Sequence, residues 1–313
     1  MFLHDLPDSK ELFLVVSEEK AINPSIVEKD YWVMHALWGL QQQGFDFELK
    51  GGTSLSKGFD IIHRFSEDID IQIYPPMALE LKSGKNHNKE NHIESRRKFF
   101  DGLANQLEIP DLIFRRDHEF DDVSKMCSAG IRGTYPSHFP SLMALKEGVL
   151  FKVGFDKTTP YDFRNISSWA YEKAILSGVK IINNQANRVK CFLPEYALIE
   201  KLQAISTQYR VNRKNNIESP VNFIRHYYDV YQLLNTERVK KFLRTPEYQT
   251  YKIEKFDTLD EPDITKNPAF QLSLQGEMAK FSALYQKKTE IYFGEVPPFE
   301  KIIATIQSHA AGL

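Results

Sequence analysis

Two short segments of the chain alternate between apolar and polar residues. The segments 45–50 (FDFELK) and 68–73 (DIDIQI) place an apolar side chain at every second position. This period of two is typical of a half-buried β-strand, because successive side chains point to opposite faces of a sheet. Between them, four small residues precede apolar residues at helical spacing: Gly51, Gly52, Thr53 and Ser54, then Leu55, Phe59 and Ile62. The pattern therefore predicts a strand, a glycine turn, a short helix and a second strand.

Longer periodic segments predict the rest of the fold. The expected helices are 23–43, 94–107, 195–209, 221–234 and two near 281–284 and 299–306, and a further strand is expected over 149–155. A polar stretch at 82–92 lacks periodicity and is interpreted as a loop. The strands are concentrated before residue 190 and the helices after it. We therefore predict an α/β (α+β) fold, with one domain over 1–190 and a helical bundle domain over 191–313.

The second strand carries the most informative pair of side chains, Asp68 and Asp70. Residues two apart on a strand point the same way, so the isoleucines of the segment are expected in the core and both carboxylates on the open face. Two ionised carboxylates at this spacing repel each other and favour a bound cation. Oxygen ligands suit a hard ion such as Mg²⁺. Either feature alone, the aspartate pair or the glycine turn, is usually an ordinary solvated surface.

The glycine turn before this strand predicts a phosphate site. Glycines let the backbone approach a ligand closely, and the free N–H groups at a helix start attract an anion. Other donors expected there are the hydroxyls of Thr53 and Ser54 and the charges of Lys57 and Arg64. A phosphate site beside a carboxylate pair is what a nucleoside triphosphate requires, because a metal ion bridges the phosphate oxygens.

A narrow polar stripe crosses the otherwise apolar helix 221–234. It consists of Asn222, Arg225, His226 and Asp229, at positions i, i+3, i+4 and i+7. Buried polar groups need partners, so one interpretation is an internal Arg225–Asp229 pair that joins two helices. The other is that the stripe meets the nucleotide, with Asp229 orienting Arg225 or Lys201. Lys201, in turn, is either a surface lysine or a counter-charge to the triphosphate.

Composition limits the classes of function. The 313 residues are 42% hydrophobic and 26% charged, as in an ordinary globular protein, and the net charge of −2 excludes a global basic field for nucleic acid. Any RNA contact would need a local basic patch. Cys127 and Cys191 lack metal-type spacing and are expected to be reduced, buried thiols. With no signal-peptide pattern and no membrane-length apolar run, a cytoplasmic protein without a membrane partner is expected.

The turn and strand together resemble a known motif. Gly51-Gly52-Thr53-Ser54 followed by 65–70 (FSEDID) is similar to the first motif of the nucleotidyltransferase superfamily and, more narrowly, of the AbiEii/AbiGii toxin family. Three further segments, at 28–33 (EKDYWV), 194–202 and 225–229 (RHYYD), resemble later or flanking signatures of that family in the expected order. Together the four segments extend over about two thirds of the chain.

The resemblance implies a fold, an activity and a set of residues. It implies a mixed-sheet nucleotidyltransferase domain that moves a nucleoside monophosphate from a nucleoside triphosphate to an acceptor hydroxyl, with release of pyrophosphate and with Mg²⁺ or Mn²⁺. It further implies a toxin of a type IV toxin–antitoxin or phage-defence system, an RNA (tRNA) acceptor and an antitoxin partner. The catalytic residues implied are Asp68, Asp70, Lys201 and Asp229; the nucleotide contacts are Gly51, Gly52, Thr53, Ser54, Lys57, Arg64, Ser66, Arg225 and His226.

One position departs from the family pattern. Nucleotidyltransferases commonly place a third carboxylate on the strand corresponding to 149–155, where this chain has Lys152. Asp156, at the end of that strand, is the candidate to replace it, so the expected metal ligands are Asp68, Asp70 and Asp156. A single metal ion, or a lysine that meets a phosphate, is the alternative. Two rival functions also stand: modification of a protein hydroxyl, and a degenerate nucleotide-binding or interaction module.

Overall fold

The computed structural model describes residues 1–84, 86–142, 145–155, 160–215, 217, 223–287 and 289–313. Contacts divide the chain into two compact units. The first unit comprises Met1–Phe59 and Phe65–Phe192, and the second comprises Asp60–Arg64 and Leu193–Leu313.

A seven-stranded mixed sheet forms the centre of the first unit. Its strands are β1 Phe47–Lys50, β2 Asp68–Ile73, β3 Ile113–Asp117, β4 Ser128–Thr134, β5 Val149–Gly154, β6 Tyr161–Ile166 and β7 Ala186–Phe192. They lie in the order β3-β4-β5-β2-β1-β7-β6. The β2–β5 and β1–β7 pairs are parallel and the other pairs are antiparallel. This mixed sheet confirms the predicted α/β class and places β2 in the middle of the sheet.

Helices pack around this sheet. They are α1 Ser9–Lys20, α2 Pro24–Gln42, α3 Gly51–Thr53, which continues as a π-helical turn Ser54–Gly58, α4 Glu90–Gln106 and α5 Trp169–Leu176. Helix α2 is almost wholly buried, as its apolar sequence predicts, and Asn23 caps it by accepting a hydrogen bond from the Ser25 N–H. Short 3₁₀ turns lie at Leu3–Asp5, Met77–Leu79 and His118–Phe120.

The helix after the glycine turn is shorter than predicted. The apolar spacing suggested that it continues to Ile62, but it ends at Gly58. Asp60 adopts a left-handed backbone conformation with φ of 52°, which a right-handed helix cannot contain. Residues 60–64 then join the second unit, where the His63 N–H donates to the Tyr228 hydroxyl at 3.2 Å and the Phe293 N–H to the His63 carbonyl at 3.0 Å.

The second unit is helical in its described part. Its helices are α6 Pro194–Lys214, α7 Arg225–Leu234, α8 Glu237–Phe242, α9 Pro246–Lys255, α10 Pro268–Gln271, α11 Glu277–Gln286 and α12 Phe299–His309, with 3₁₀ turns at Thr289–Ile291 and Ala310–Gly312. Helix α7 packs against α6 and α12. The helix predicted from residue 221 is described only from Arg225, and Asn222 lies outside the described residues.

Two compositional expectations can be compared with the structure. Both cysteines are free thiols, but only Cys191 is buried; Cys127 is partly exposed on β4's approach, which corrects the expectation that both are buried. Within the described part of the chain, no helix combines the length and the apolar character that crossing a membrane would require.

Candidate active site

The carboxylate pair lies on the central strand of the first unit. The three isoleucines of β2 are buried in the core, as predicted. The opposite face is less open than the sequence suggests, because the Asp68 side chain is only 4% exposed and the Asp70 side chain 26%. Asp68 is therefore a buried carboxylate, which requires a compensating charge.

Two lysines supply that charge. The ammonium of Lys146 lies 2.8 and 2.6 Å from the two carboxylate oxygens of Asp68, and that of Lys152 lies 2.6 Å from Oδ2. Burial acts to raise the pKa of Asp68, but Lys152 and Lys146 outweigh it and the pKa is lowered. Asp68 is thus ionised and saturated with donors from its own unit.

The position expected to be acidic on the neighbouring strand is indeed Lys152. It stands directly across from Asp70 in the parallel β2–β5 ladder. Its ammonium reaches Asp68 and lies 4.0 Å from Oδ1 of Asp70. Asp156, the alternative third carboxylate, lies outside the described residues.

These contacts decide how well the site fits a metal ion. An ion bound jointly by Asp68 and Asp70 would have to displace two ammonium groups from Asp68, so the residues do not fit a metal held by protein carboxylates alone. Asp70 does fit the role of a single protein ligand, because magnesium is commonly held by one or two carboxylates together with substrate phosphates. An ion bound in this way would neutralise phosphate charge.

Gly51 is required by Asp70. Its φ of +72° lies in the left-handed region, and a Cβ at this position would overlap Oδ2 of Asp70. Only glycine has both the backbone freedom and the missing side chain that this arrangement needs. The carboxylate therefore lies directly against the backbone of the turn, and Gly52 beside it is buried.

The polar side chains of the turn point inward. Sequence analysis expects Thr53, Ser54 and Lys57 to meet a phosphate. Instead, the Thr53 hydroxyl donates to the Asp68 carbonyl at 2.6 Å and the Ser54 hydroxyl to the Phe192 carbonyl at 3.4 Å. Lys57 forms a buried ion pair of 2.6 Å with Asp30 and lies over the Trp169 ring. Because buried polar groups must be paired, the fold itself uses these donors. Ser66 is half-buried just before β2.

Sequence analysis assigned no role to the charged residues of α2, yet each of them holds a different segment of the first unit. Glu28 accepts hydrogen bonds from the Ser137 hydroxyl and the His138 N–H. Lys29 pairs with Glu67 at 2.9 Å and donates to the Lys146 carbonyl.

Asp30 completes the set by binding Lys57 and the Trp169 N–H. Burial lowers the pKa of Lys29, although Glu67 opposes this shift. Three successive charges on an otherwise apolar helix were the signal in the sequence.

A second charged cluster lies inside the second unit. Asp229 is fully buried and accepts two hydrogen bonds from Arg64, at 2.7 and 2.8 Å, and an ion pair of 2.8 Å from Lys201. Burial acts to raise the pKa of Asp229, but the two cations hold it well below its usual value. Arg64 is thus enclosed on Asp229, whereas sequence analysis expected it at a phosphate. The partner of Asp229 is Arg64 together with Lys201, and the internal interpretation of the polar stripe is closest to this geometry.

His226 and Arg225 flank this cluster. Nδ1 of His226 lies 3.3 Å from the Lys201 ammonium, which can only donate, so Nδ1 is an unprotonated acceptor. Burial, reinforced by Lys201 and Arg225, holds the pKa of His226 well below its usual value. The Nε of Arg225 is buried without a hydrogen-bond partner among the described residues. That Lys201 and Asp229 act on a nucleotide stays a prediction.

Comparisons with known proteins were made for the whole chain. The model of the family described as "Nucleotidyl transferase AbiEii toxin, Type IV TA system" matches residues 35–305. Among solved structures, the chain is similar to an antigenic nucleotidyltransferase-like protein from Paracoccidioides brasiliensis, with 14% identity over 74% of this chain and 94% of that chain and a TM-score of 0.36. The comparison with curated proteins found no match.

Substitution of Gly51 tests the contact between the turn and Asp70. Gly51→Ala is expected to destabilise the protein by about 2–4 kcal/mol, the sum of left-handed strain and overpacking, and to lower activity by moving Asp70. Gly44→Ala is the matched control, because Gly44 has a φ of +76° and a Cβ there meets nothing within 4 Å. It should show only the strain, about 1–2 kcal/mol, in urea unfolding. Equal losses in the two variants would contradict the Asp70 contact.

Removal of the charge on Asp229 tests the second cluster. Asp229→Asn leaves Arg64 and Lys201 buried without a counter-charge, so a loss of about 3–5 kcal/mol in unfolding free energy is expected. Asp263→Asn removes a carboxylate from an exposed pair with Lys266 in the same unit and should change stability little. A wild-type-like unfolding curve for Asp229→Asn would show that the pair does not stabilise the fold.

The buried neutral ring of His226 predicts a pH dependence. Since its pKa is lower in the folded than in the unfolded chain, the unfolded chain takes up the proton first. Stability should therefore fall as the pH drops below about 6.5, by at most about 1.4 kcal/mol per pH unit from this group. His226→Gln, which keeps an acceptor for Lys201, should reduce that slope between pH 7 and 5. The same change at the half-exposed His63 should leave the slope as in the wild type.

Proposed function

Because the chain belongs to the AbiEii nucleotidyltransferase toxin family of type IV toxin–antitoxin systems, we propose that it transfers a nucleoside monophosphate from a nucleoside triphosphate to an acceptor hydroxyl of RNA. The family makes it a nucleotidyltransferase. The nature of the acceptor, the part played by the metal and the identity of the site residues are elements of the proposal.

The observation that carries the proposal is the contact between Asp70 and Gly51. It brings a partly exposed carboxylate against a glycine turn whose backbone a phosphate can approach. The two lysines on Asp68 add positive charge within the same first unit. A triphosphate placed here would meet cationic groups and a carboxylate able to share its magnesium ion.

The proposed reaction is a displacement at the α-phosphorus. The acceptor hydroxyl oxygen forms a new bond to that phosphorus, the bond to the bridging oxygen of the β-phosphate breaks, and pyrophosphate leaves with the electron pair. The hydroxyl proton is released to water. Such transfers depend mainly on positioning and on neutralising the charge of the phosphates. The lysine ammoniums are suited to that neutralisation, and we propose that Mg²⁺ or Mn²⁺ arrives with the triphosphate.

A local basic patch favours an RNA acceptor over a protein. Arg115 is exposed and stands directly across from Arg132 in the β3–β4 ladder. Arg132 lies two positions from Gly130, which pairs with Lys152, so these side chains share one face of the sheet. Arg132 also pairs with Asp117, but Arg115 is available for a phosphate. Given the net charge of −2, such a patch is what an RNA substrate requires. An antitoxin protein is the proposed partner.

The proposal is tested by incubating the purified protein with total tRNA, Mg²⁺ and each α-³²P-labelled triphosphate in turn. Label is expected on RNA with the wild type and to fall by at least about a hundredfold with Asp70→Asn, since a phosphate-side charge is lost. The control is Asp46→Asn, because Asp46 belongs to an exposed pair with Lys190. Label on protein bands would replace RNA by a protein acceptor. Absence of label and of pyrophosphate release with every triphosphate would overturn the proposal.

A further inference from the structure

We propose that Lys146 and Lys152 form a triphosphate-binding pair that acts without a metal ion, and that Asp68 positions these two lysines. The inference rests on the proposed function and assigns the phosphate contacts of that site. In sequence analysis the donors were expected in the glycine turn, and Lys146 was not considered.

The first argument is the charge balance around Asp68. One carboxylate faces two ammonium groups at 2.6–2.8 Å, so the three side chains together carry a charge of +1. The nearest further carboxylate is Asp70, whose Oδ1 is 4.0 Å from Lys152. A lysine ammonium has three donors, and neither lysine can use all of them on one carboxylate. The pair can therefore bind an additional anion.

The second argument is accessibility. The side chains of Lys146 and Lys152 are 22% and 31% exposed, whereas that of Asp68 is 4% exposed. An entering ligand therefore meets the ammonium groups before the carboxylate. Such an ordering favours an anionic ligand and disfavours a free cation. Asp68 lies beneath the lysines as their counter-charge.

The third argument is that the position of Lys146 is built into the fold. Lys146 belongs to the irregular segment before β5, yet both of its peptide groups are held. Its N–H donates to Glu67 at 2.7 Å, and its carbonyl accepts from Lys29. Lys29 and Glu67 form a buried ion pair of 2.9 Å. Burying two charges is costly, so a pair whose free donor and acceptor both contact one residue is an expensive way to fix a surface loop.

An aromatic ring completes the arrangement. The Phe120 ring centroid lies 5.2 Å from the Lys146 ammonium and 5.6 Å from that of Lys152. Gly130, opposite Lys152 in the β4–β5 ladder, leaves room for this ring, since a Cβ there would lie 2.8 Å from the Phe120 Cβ. The ring attracts both cations and limits their movement on one side. The two ammonium groups are thus held close together although they repel each other.

These contacts assign distinct roles. Lys146 and Lys152 bind phosphate oxygens as point charges. Asp68, Glu67 and Lys29 are positioning residues, which act through the lysines.

The test is calorimetric binding of inorganic tripolyphosphate in EDTA and, separately, in Mg²⁺. The wild type is expected to bind in EDTA, and Lys146→Met and Lys152→Met should each bind at least about tenfold more weakly, the effect of losing a hydrogen bond to a charged group. The matched control is Lys173→Met, because Lys173 also pairs with a carboxylate, Glu19, in the same unit with a similar exposure. Its affinity should be unchanged.

Binding that requires Mg²⁺, or that survives loss of either lysine, would overturn the inference and leave nucleotidyl transfer standing. The converse result is also distinguishable. Tripolyphosphate binding in EDTA without pyrophosphate release from any triphosphate would uphold the lysine pair and overturn the proposed reaction.

The positioning role of Lys29 has its own readout. Lys29→Met should weaken tripolyphosphate binding in the wild-type background and have no further effect in Lys146→Met, because it acts only through that residue. If Lys29→Met fails to fold, the double change Lys29→Met with Glu67→Leu removes both buried charges and provides a second background. Equal effects of Lys29→Met with and without Lys146 would show a merely structural role.

Discussion

The ionised carboxylate of Asp68 on the central strand is the constraint on which the first unit depends. It is almost completely buried, and such a charge persists only where the protein neutralises it. Lys152 comes from the adjacent strand, and its place opposite Asp70 follows from the β2–β5 register. Lys146 comes from outside the sheet, and its backbone is held by the buried pair of Lys29 and Glu67. Neutralising one carboxylate therefore links β2, β5, α2 and the segment before β5.

The second unit solves the same problem with different residues. Asp229 on α7 is enclosed as fully as Asp68, and its counter-charges come from α6 and from the segment 60–64. Arg64 binds both carboxylate oxygens, an arrangement that favours arginine over lysine because the guanidinium is a planar fork. The chain segment that leaves the glycine turn is thereby tied into the helical unit. This explains why five residues between α3 and β2 belong to a unit otherwise formed by residues 193–313.

Local sequence pattern predicted what depends on periodicity. The alternation of β2 placed its isoleucines in the core, the apolar length of α2 predicted a buried helix, and Lys152 was correctly placed on the face of the aspartates. Pattern could not predict which donors a buried charge would recruit. Thr53, Ser54 and Lys57 have the chemistry of phosphate ligands, but their partners are the Asp68 carbonyl, the Phe192 carbonyl and Asp30. Those partners depend on contacts between segments distant in sequence. Lys146 was missed for the same reason, because it follows no periodic element.

The roles of Asp68 and Asp70 follow from this difference in environment. The two carboxylates are equivalent in sequence, two positions apart on one strand, but one is covered by lysines and the other lies against Gly51 with a quarter of its surface exposed. A cation entering the site would find Asp68 already neutralised, so Asp70 is the carboxylate that can still bind one. An anion would find two ammonium groups anchored from below. The face of the strand that appears doubly acidic in the sequence is thus electrically divided, and its divided charge suits a ligand that carries both phosphates and a magnesium ion.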